Sequence, residues 1–126
     1  IKNLWVFDFD RTLSDIIPHR HAASLHPLCR TMLEKLAATE GFYTAILSSR
    51  TLDDLLPRID IKGVALGGNC GSEWLLPEGT RTHIPQDRLI SLQAARTLLF
   101  PELKHIDQIE GVEIDDARLK DQGGHY

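Results

Sequence analysis

The start of the chain places two carboxylates directly after a bulky apolar run. The run LWVF at residues 4–7 is followed at once by DFDRT. Four consecutive apolar residues predict a strand over residues 3–9 that is buried on both faces, rather than an alternating edge strand. Because side chains two residues apart on an extended segment point to the same side, Asp8 and Asp10 are expected to project together, with Thr12 just behind them. A fold for this chain must therefore bury a strand that ends in paired carboxylates.

The rest of the sequence alternates between helix and strand patterns. Apolar residues recur every three to four positions in a first helix that begins near Pro27 and ends at Gly41. Thr51 has the residue type of a helix N-cap, with Asp54 three positions later. The pattern is typical of an α/β fold with an open, Rossmann-like parallel sheet, in which ligands bind beyond the carboxyl ends of the strands. Further predicted elements are strands at residues 43–47 and 63–67, a hairpin at 73–84, a helix at 86–100 ended by Pro101, and a strand around 112–114.

Composition excludes several classes of protein. The 126 residues are 42% hydrophobic and 25% charged, which is ordinary for one folded domain. The formal net charge is −4, and no dense basic block is present, so nucleic acid is not an expected partner. The longest apolar runs span about four residues, far short of the roughly 20 that cross a bilayer, and no signal peptide pattern is seen. A cytoplasmic location without membrane contact is expected, and no oligomeric state is indicated.

Paired carboxylates at a strand end have a specific chemistry. Asp8 and Asp10 would repel each other, and a shared hard cation such as Mg²⁺ is the usual way to keep both ionised. One carboxylate can attack phosphorus to form an aspartyl-phosphate, while the other protonates the leaving oxygen and later deprotonates water. The pair is therefore typical of half a phosphatase site, and the alternative is an acidic turn after a strand.

The next two strand ends carry polar residues with two interpretations each. Ser48 and Arg50 follow the second strand, where a hydroxyl and a guanidinium can bind a phosphoryl group, although serine is also a common turn former. The glycine-rich loop around Asn69 follows the third strand, where backbone can approach a ligand closely or simply turn tightly. Neither feature distinguishes binding from turn formation by itself.

Taken together, the strand ends resemble the haloacid dehalogenase superfamily of phosphatases. The first motif of that superfamily resembles WVFDFDRTL at residues 5–13, and the second resembles AILS at residues 45–48. Within the superfamily the trehalose-6-phosphate phosphatases are most similar. Their S-G-R-S-L-D-D segment resembles SSRTLDDL at residues 48–55, and their G-N-H-G-A-E loop resembles GNCGSE at residues 68–73. The resemblance covers residues 1 to about 85 well.

The resemblance implies a role for each matched residue. Asp8 would be the nucleophile and Asp10 the general acid and base. Mg²⁺ would be held by the Asp8 side chain and the backbone carbonyl of Asp10. Thr12 and Ser48 would position the phosphoryl group. Around the substrate entrance the resemblance places Arg50, Asn69 and Glu73.

Departures from the family pattern are equally specific. Arg11 replaces the glycine that the family usually has between the second aspartate and the threonine, and Cys70 replaces a histidine. The lysine and the second acidic motif that complete the superfamily's metal site are not found before residue 126. Residues 1–110 are therefore expected to form the amino-terminal part of the core, and residues 111–126 the truncated start of an α/β cap.

Three further functions compete with a trehalose-6-phosphate phosphatase. Another sugar-phosphate phosphatase of the superfamily would share these motifs. A non-catalytic module that binds a phosphosugar would explain the missing second acidic motif. A phosphoreceiver domain has a similar length and fold, but it needs an aspartate at the end of its third strand, where residues 65–68 are ALGG.

Overall fold

The computed structural model describes residues 3–112 and residue 114. The chain divides into two compact units, unit 1 at residues 1–84 and unit 2 at residues 85–126. Unit 1 contains β1 (Asn3–Phe7), α1 (Pro27–Ala38), β2 (Phe42–Leu47), α2 (Leu52–Ile59), β3 (Val64–Gly68), β4 (Glu73–Leu75) and β5 (Arg81–Thr82), with single turns of 3₁₀ helix at Arg20–Ala22 and Asn69–Gly71. Unit 2 contains α3 (Gln86–Asp107).

The sheet of unit 1 follows the order of its strands along the chain, β1-β2-β3-β4-β5. β1 and β3 both pair in parallel with β2, so Val6 lies opposite Ala45 and Ile46 lies opposite Leu66. β4 and β5 continue the sheet as an antiparallel hairpin. The α/β fold and the hairpin predicted from the sequence are confirmed.

The hydrophobic core of unit 1 lies where α1 and α2 pack against the parallel strands. Leu33 of α1, Ile46 of β2 and Leu55 of α2 are fully buried. Phe9, just beyond β1, is also fully buried in this cluster. Burial of one such side chain contributes roughly 1.5–3 kcal/mol. The core therefore anchors the residue that separates Asp8 from Asp10.

The burial predicted for the first strand is wrong. Leu4 and Val6 are 62% and 51% exposed, and β1 ends at Phe7 rather than at residue 9. β1 lies at the edge of the sheet, and β2 is its neighbour in the described part of the chain. An apolar run reports which side chains a strand carries, whereas the number of neighbouring strands depends on the topology of the whole sheet.

The local signals for helix termini were more informative than the prolines. The Thr51 hydroxyl accepts a hydrogen bond from the Asp54 N–H at 3.1 Å, which confirms the N-cap of α2. The predicted helix end at Pro101 is wrong, because α3 continues to Asp107. A proline removes one backbone donor and crowds the carbonyl four residues earlier, at a cost of about 3 kcal/mol. The turns on both sides of Pro101 nevertheless stay helical.

The carboxyl-terminal predictions are only partly covered by the structure. Val112 and Ile114 are not in a strand, and Glu113 lies outside the described residues. The division at residue 84 differs from the predicted boundary at residue 110, and most of the predicted cap lies outside the described residues. The assignment of core and cap stays a prediction. Among residues 3–112 and 114, no helix has the length and apolar character needed to cross a bilayer.

Candidate active site

A cleft of ≈ 460 Å³ opens beside the carboxyl end of β1. This edge of the sheet is where parallel α/β folds bind ligands. Both predicted catalytic aspartates line the cleft, which confirms that they project to a common side. Charged and hydroxyl side chains in its lining include Asp8, Asp10, Arg11, Asp15, Arg20 and Ser49.

The loop that carries the aspartates is fixed from both sides. Phe9 is anchored in the core, and its carbonyl oxygen accepts hydrogen bonds from the N–H groups of Leu13 and Ser14 at 2.9 and 3.1 Å. The Thr12 hydroxyl donates to Asp8 Oδ2 at 3.2 Å. The Asp8 side chain thus has a defined position at an exposed place in the cleft.

Arg11 occupies a backbone conformation that favours glycine. Its φ is 65°, in the left-handed region, and its N–H donates to the Ser14 hydroxyl at 3.1 Å. A side chain in this region costs roughly 1–2 kcal/mol relative to the right-handed conformation. This gives a physical reason for the glycine that the resembling family usually has here, and it places the Arg11 side chain in the lining of the cleft.

Asp10 is held by a buried arginine. Arg50 Nε donates to Asp10 Oδ2 at 2.9 Å and to Oδ1 at 3.2 Å, and Arg50 Nη2 donates to Oδ1 at 2.6 Å. The side chain of Arg50 is 2% exposed, whereas that of Asp10 is 32% exposed. The guanidinium also lies over the Phe9 ring, 5.7 Å from its centroid. The Nε and Nη2 groups of Arg50, here called the fork, therefore bind the Asp10 carboxylate from the buried side and leave part of it exposed in the cleft.

Further charged groups hold Arg50 itself. Its Nη1 donates to Asp54 Oδ2 at 2.7 Å, and its Nη2 donates to the backbone carbonyl of Arg20 at 2.6 Å. Arg58 Nη2 donates to the other oxygen of Asp54 at 3.2 Å, while its Nη1 donates to the carbonyl of Ala23. Arg50, Asp54 and Arg58 thus form a chain of ion pairs. The two arginines connect this chain to the backbone at the 3₁₀ turn of Arg20–Ala22.

The pKa values in this chain follow from its contacts. Hydrogen bonding to Asp10 raises the pKa of Arg50 above its usual value, burial opposes this, and the contact with Asp54 adds to the rise. Burial raises the pKa of Asp54, but the hydrogen bonds from Arg50 and Arg58 outweigh it, so the pKa lies below its usual value. Both groups are held in their charged forms.

Ser48 is buried directly behind Arg50. Its hydroxyl oxygen accepts the Arg50 N–H at 3.1 Å, and its own N–H donates to the carbonyl of Gly67 at 2.9 Å. The hydroxyl hydrogen is not used in either contact. Neither Ser48 nor Thr12 lines the cleft, and their role in positioning a phosphoryl group stays a prediction.

Asn69 and Glu73 bind each other at the start of α2. Asn69 Nδ2 donates to Glu73 Oε2 at 2.7 Å, and the Leu52 N–H donates to the same oxygen at 3.3 Å. A Cβ at Gly68 would lie only 2.4 Å from Leu52 N, so the loop needs glycine there. Cys70 has a φ of 57°, which fixes the turn in the left-handed region. Neither polar residue lines the cleft, and their role at the substrate entrance stays a prediction.

The oxygen donors of the cleft suit a magnesium ion only in part. Asp8 offers an exposed carboxylate, whereas the Asp10 carboxylate is already held by Arg50, and the resemblance assigns the second ligand to the Asp10 backbone carbonyl. Mg²⁺ prefers such hard oxygens and keeps several waters. In the part of the chain that the structure describes, no group of three or more His, Cys, Asp or Glu side chains is placed to hold a metal.

Two residues behind the aspartates, Asp54 and Arg58, were not predicted as part of the site. Arg50, Asp54 and Arg58 are nevertheless spaced four apart. Alternating charges at this spacing lie on one helix face and pair with one another. This signal was present, but it cannot tell a solvated face from a buried one.

Comparison with known proteins gives consistent matches. The family model described as Trehalose-phosphatase matches residues 6–119. The trehalose-phosphate phosphatase of Mycobacterium leprae (strain TN) is 35% identical over 115 residues, which are 90% of this chain and 26% of that protein. The trehalose-phosphate phosphatase of Mycobacterium tuberculosis (strain ATCC 25618 / H37Rv) is 43% identical over 74 residues, which are 59% of this chain and 18% of that protein.

Solved structures share the fold at lower sequence identity. The C-terminal domain of the Candida albicans trehalose-6-phosphate phosphatase matches with a TM-score of 0.77 and 21% identity, over 91% of this chain and 39% of that chain. The Aspergillus fumigatus trehalose-6-phosphate phosphatase matches with a TM-score of 0.64 and 22% identity, over 91% and 42%. The chain thus spans a quarter or so of its curated relatives at most, and about two fifths of each solved chain.

Proposed function

The chain belongs to the trehalose-phosphatase family, and we propose that it carries the nucleophile of a Mg²⁺-dependent phosphomonoesterase. The proposed substrate is a sugar phosphate, and trehalose 6-phosphate is the first candidate. The observation that carries the proposal is the position of Asp8, exposed in the cleft and hydrogen-bonded to Thr12, with Asp10 on the same side. Nucleic acid and membranes are not proposed as partners, and a cytoplasmic location stays a prediction.

Two steps describe the proposed reaction. A carboxylate oxygen of Asp8 attacks phosphorus, the bond from phosphorus to the sugar oxygen breaks, and the sugar oxygen takes the proton that the Asp10 carboxyl group carries at the start of the cycle. Asp10 then takes a proton from water, whose oxygen attacks phosphorus, so that inorganic phosphate leaves and the Asp8 carboxylate returns. Asp8 and Asp10 are both free of the core at their cleft side, as these steps require.

Residues in and around the cleft are proposed to bind and orient the substrate. The Thr12 hydroxyl keeps the Asp8 carboxylate in place, and the unused hydroxyl hydrogen of Ser48 is a donor for a phosphoryl oxygen. Mg²⁺, held by the Asp8 carboxylate and the Asp10 carbonyl, would neutralise charge on the phosphoryl group. Arg11 adds a cation to the lining, which favours an anionic substrate.

Phosphate release tests the proposal. Trehalose 6-phosphate and a panel of other sugar phosphates are assayed with and without Mg²⁺, for residues 1–126 and for the complete open reading frame that contains them. Asp8→Asn should abolish release, whereas Asp53→Asn, which changes an exposed carboxylate outside the cleft, should leave it unchanged. Release that persists in Asp8→Asn would reject the nucleophile.

A non-catalytic phosphosugar-binding module is the second candidate. The observation that favours it is that the described residues supply no group of three metal-ligating side chains. Such a module would bind the sugar phosphate in a calorimeter but release no phosphate from either form of the protein. Binding of this kind that survives Asp8→Asn would replace the catalytic proposal.

A further inference from the structure

Arg50 is buried behind the cleft, where its side chain cannot contact a bound substrate. The resemblance to the family puts it at the substrate entrance, but its side chain is 2% exposed and it does not line the cleft. The adjacent Ser49 does line the cleft. A guanidinium that is buried behind the site can act on a substrate only through the groups that it holds.

Every nitrogen of the Arg50 guanidinium is engaged by the protein. Nε and Nη2 hold the Asp10 carboxylate, and Nη1 holds Asp54. Nη2 also donates to the Arg20 carbonyl, which ties the fork to the 3₁₀ turn that follows the cleft loop. Arg58 steadies Asp54 from its other oxygen. Two residues that the guanidinium holds, Asp10 and Arg20, line the cleft, and Asp10 is the one whose side chain it holds, through two nitrogens.

We propose that Arg50 is a positioning residue that fixes the Asp10 carboxylate in the cleft, with Asp54 holding Arg50, and that Arg50 does not contact the substrate. This inference rests on the proposed function for its kinetic consequences. Arg50 contacts the Asp10 carboxyl group from its buried side, and the Asp10 side chain stays 32% exposed, so its cleft side is open for the proton transfers of the proposed reaction. A planar fork sets the angle of a carboxylate as well as its distance, which a lysine ammonium cannot do.

A double-mutant cycle on turnover separates this role from an entrance role. Arg50→Lys keeps the charge and is expected to lower kcat roughly 10- to 100-fold with KM within about threefold, since misplacement of a catalytic group by about 1 Å has effects of this size. In an Asp10→Asn background the same change should lower kcat by less than about twofold, because the proposed effect of Arg50 on turnover is exerted through the Asp10 carboxyl group. Circular dichroism confirms that each variant is folded.

The matched control is Arg81→Lys. Arg81 Nη2 lies 2.8 Å from Asp53 Oδ1, close to the 2.7 Å between Arg50 Nη1 and Asp54 Oδ2, but at an exposed position outside the cleft. This change should leave kcat and KM unaltered. A rise in KM with unchanged kcat for Arg50→Lys would return Arg50 to the substrate entrance. Losses that multiply in the cycle would reduce it to a structural residue, and either result overturns the inference.

A second measurement does not depend on turnover. In the folded 126-residue chain labelled with ¹⁵N, the Arg50 Nε–H should exchange slowly with solvent, and Asp10→Asn should speed its exchange by more than about tenfold. The Arg81 Nε–H should exchange fast in both proteins. If the wild-type protein shows no Asp8-dependent turnover, the proposed function fails while this result still decides the positioning claim. An Arg50 Nε–H that exchanges as fast as that of Arg81 would overturn it.

Discussion

Two arginine–aspartate pairs of unit 1 have nearly the same length and different surroundings. Arg50 Nη1 lies 2.7 Å from Asp54 Oδ2, and Arg81 Nη2 lies 2.8 Å from Asp53 Oδ1. In the first pair Arg50 is 2% and Asp54 is 42% exposed, whereas in the second pair Arg81 is 34% and Asp53 is 80% exposed. The two aspartates are neighbours on α2, so a difference of one position separates the partner of a buried guanidinium from the partner of an exposed one.

The comparison teaches that distance alone does not assign energy or function to an ion pair. Water competes for the charges of Arg81 and Asp53, so the pair is worth between zero and about 1 kcal/mol. The Arg50 guanidinium is removed from water and depends on its protein partners. Removing a partner from such a buried pair is strongly destabilising because a charge is left uncompensated.

Removal of the buried guanidinium should have the largest effect. Arg50→Met is expected to lower the free energy of unfolding by about 3 kcal/mol, because a buried side chain loses its hydrogen bonds to Asp10, to Asp54 and to the Arg20 carbonyl. Arg81→Met is expected to cost less than about 1 kcal/mol. Urea titration followed by circular dichroism measures both, and equal losses for the two variants would remove the contrast.

A methyl group at Gly68 should displace the start of α2, the helix that carries Asp54. The new Cβ would meet Leu52 N at 2.4 Å and Leu52 Cα at 2.7 Å, so the first turn of α2 must shift. A loss of about 1–3 kcal/mol is expected, as for other overpacked sites. Gly79→Ala is the control, since nothing lies within 4 Å of its Cβ and only its φ of +97° causes strain. A smaller loss for Gly68→Ala than for the control would contradict the close approach of the loop to α2.

Acid should weaken the ion pair between Asp54 and Arg50 before the fold is lost. The pKa of Asp54 is lowered in the folded chain, so its contribution to stability is present above the unfolded pKa of about 3.9 and is lost as the pH falls through the folded pKa. Asp54→Asn should therefore cost stability near neutral pH, and the cost should shrink towards about pH 2. Unfolding measured at both pH values checks this, and a cost that grows in acid would mean that the sign is wrong.

The smallest expected effect is that of salt, which should weaken the contact of Arg81 with Asp53 more than the contacts of Arg50. The Debye length falls from about 10 Å at 0.1 M to about 3 Å at 1 M, so the exposed contact between Arg81 and Asp53 should lose its few tenths of a kcal/mol. The cost of Arg81→Gln should therefore vanish in 1 M sodium chloride. The cost of Arg50→Met should change much less. Equal salt sensitivity would show that water reaches Arg50.

Local patterns predicted those parts of the molecule that depend on near neighbours. The hydroxyl of Thr51 and its spacing to Asp54 gave the start of α2, since a cap needs only the next three residues. The alternation of Asp8, Phe9 and Asp10 gave the common direction of the two carboxylates, since a core residue stands between them.

Features that depend on distant segments could not be predicted in this way. The burial of Arg50 requires Asp10, forty residues earlier, and the carbonyl of Arg20, thirty residues earlier. The exposure of Val6 depends on which strands lie beside β1, which an apolar run does not encode. A charged side chain by default predicts surface, and an apolar one predicts core. Both defaults failed where the tertiary fold supplied or withheld a partner.

The central claim is that Asp8 is a phosphorylated nucleophile, and the most direct test is to stop a reaction with a sugar phosphate and Mg²⁺ by acid and to examine the peptides by mass spectrometry. The account predicts one phosphoryl group on the peptide that contains Asp8, and its loss in Asp8→Asn. Phosphate release without any phosphorylated aspartate, or a phosphoryl group that persists in Asp8→Asn, would contradict it.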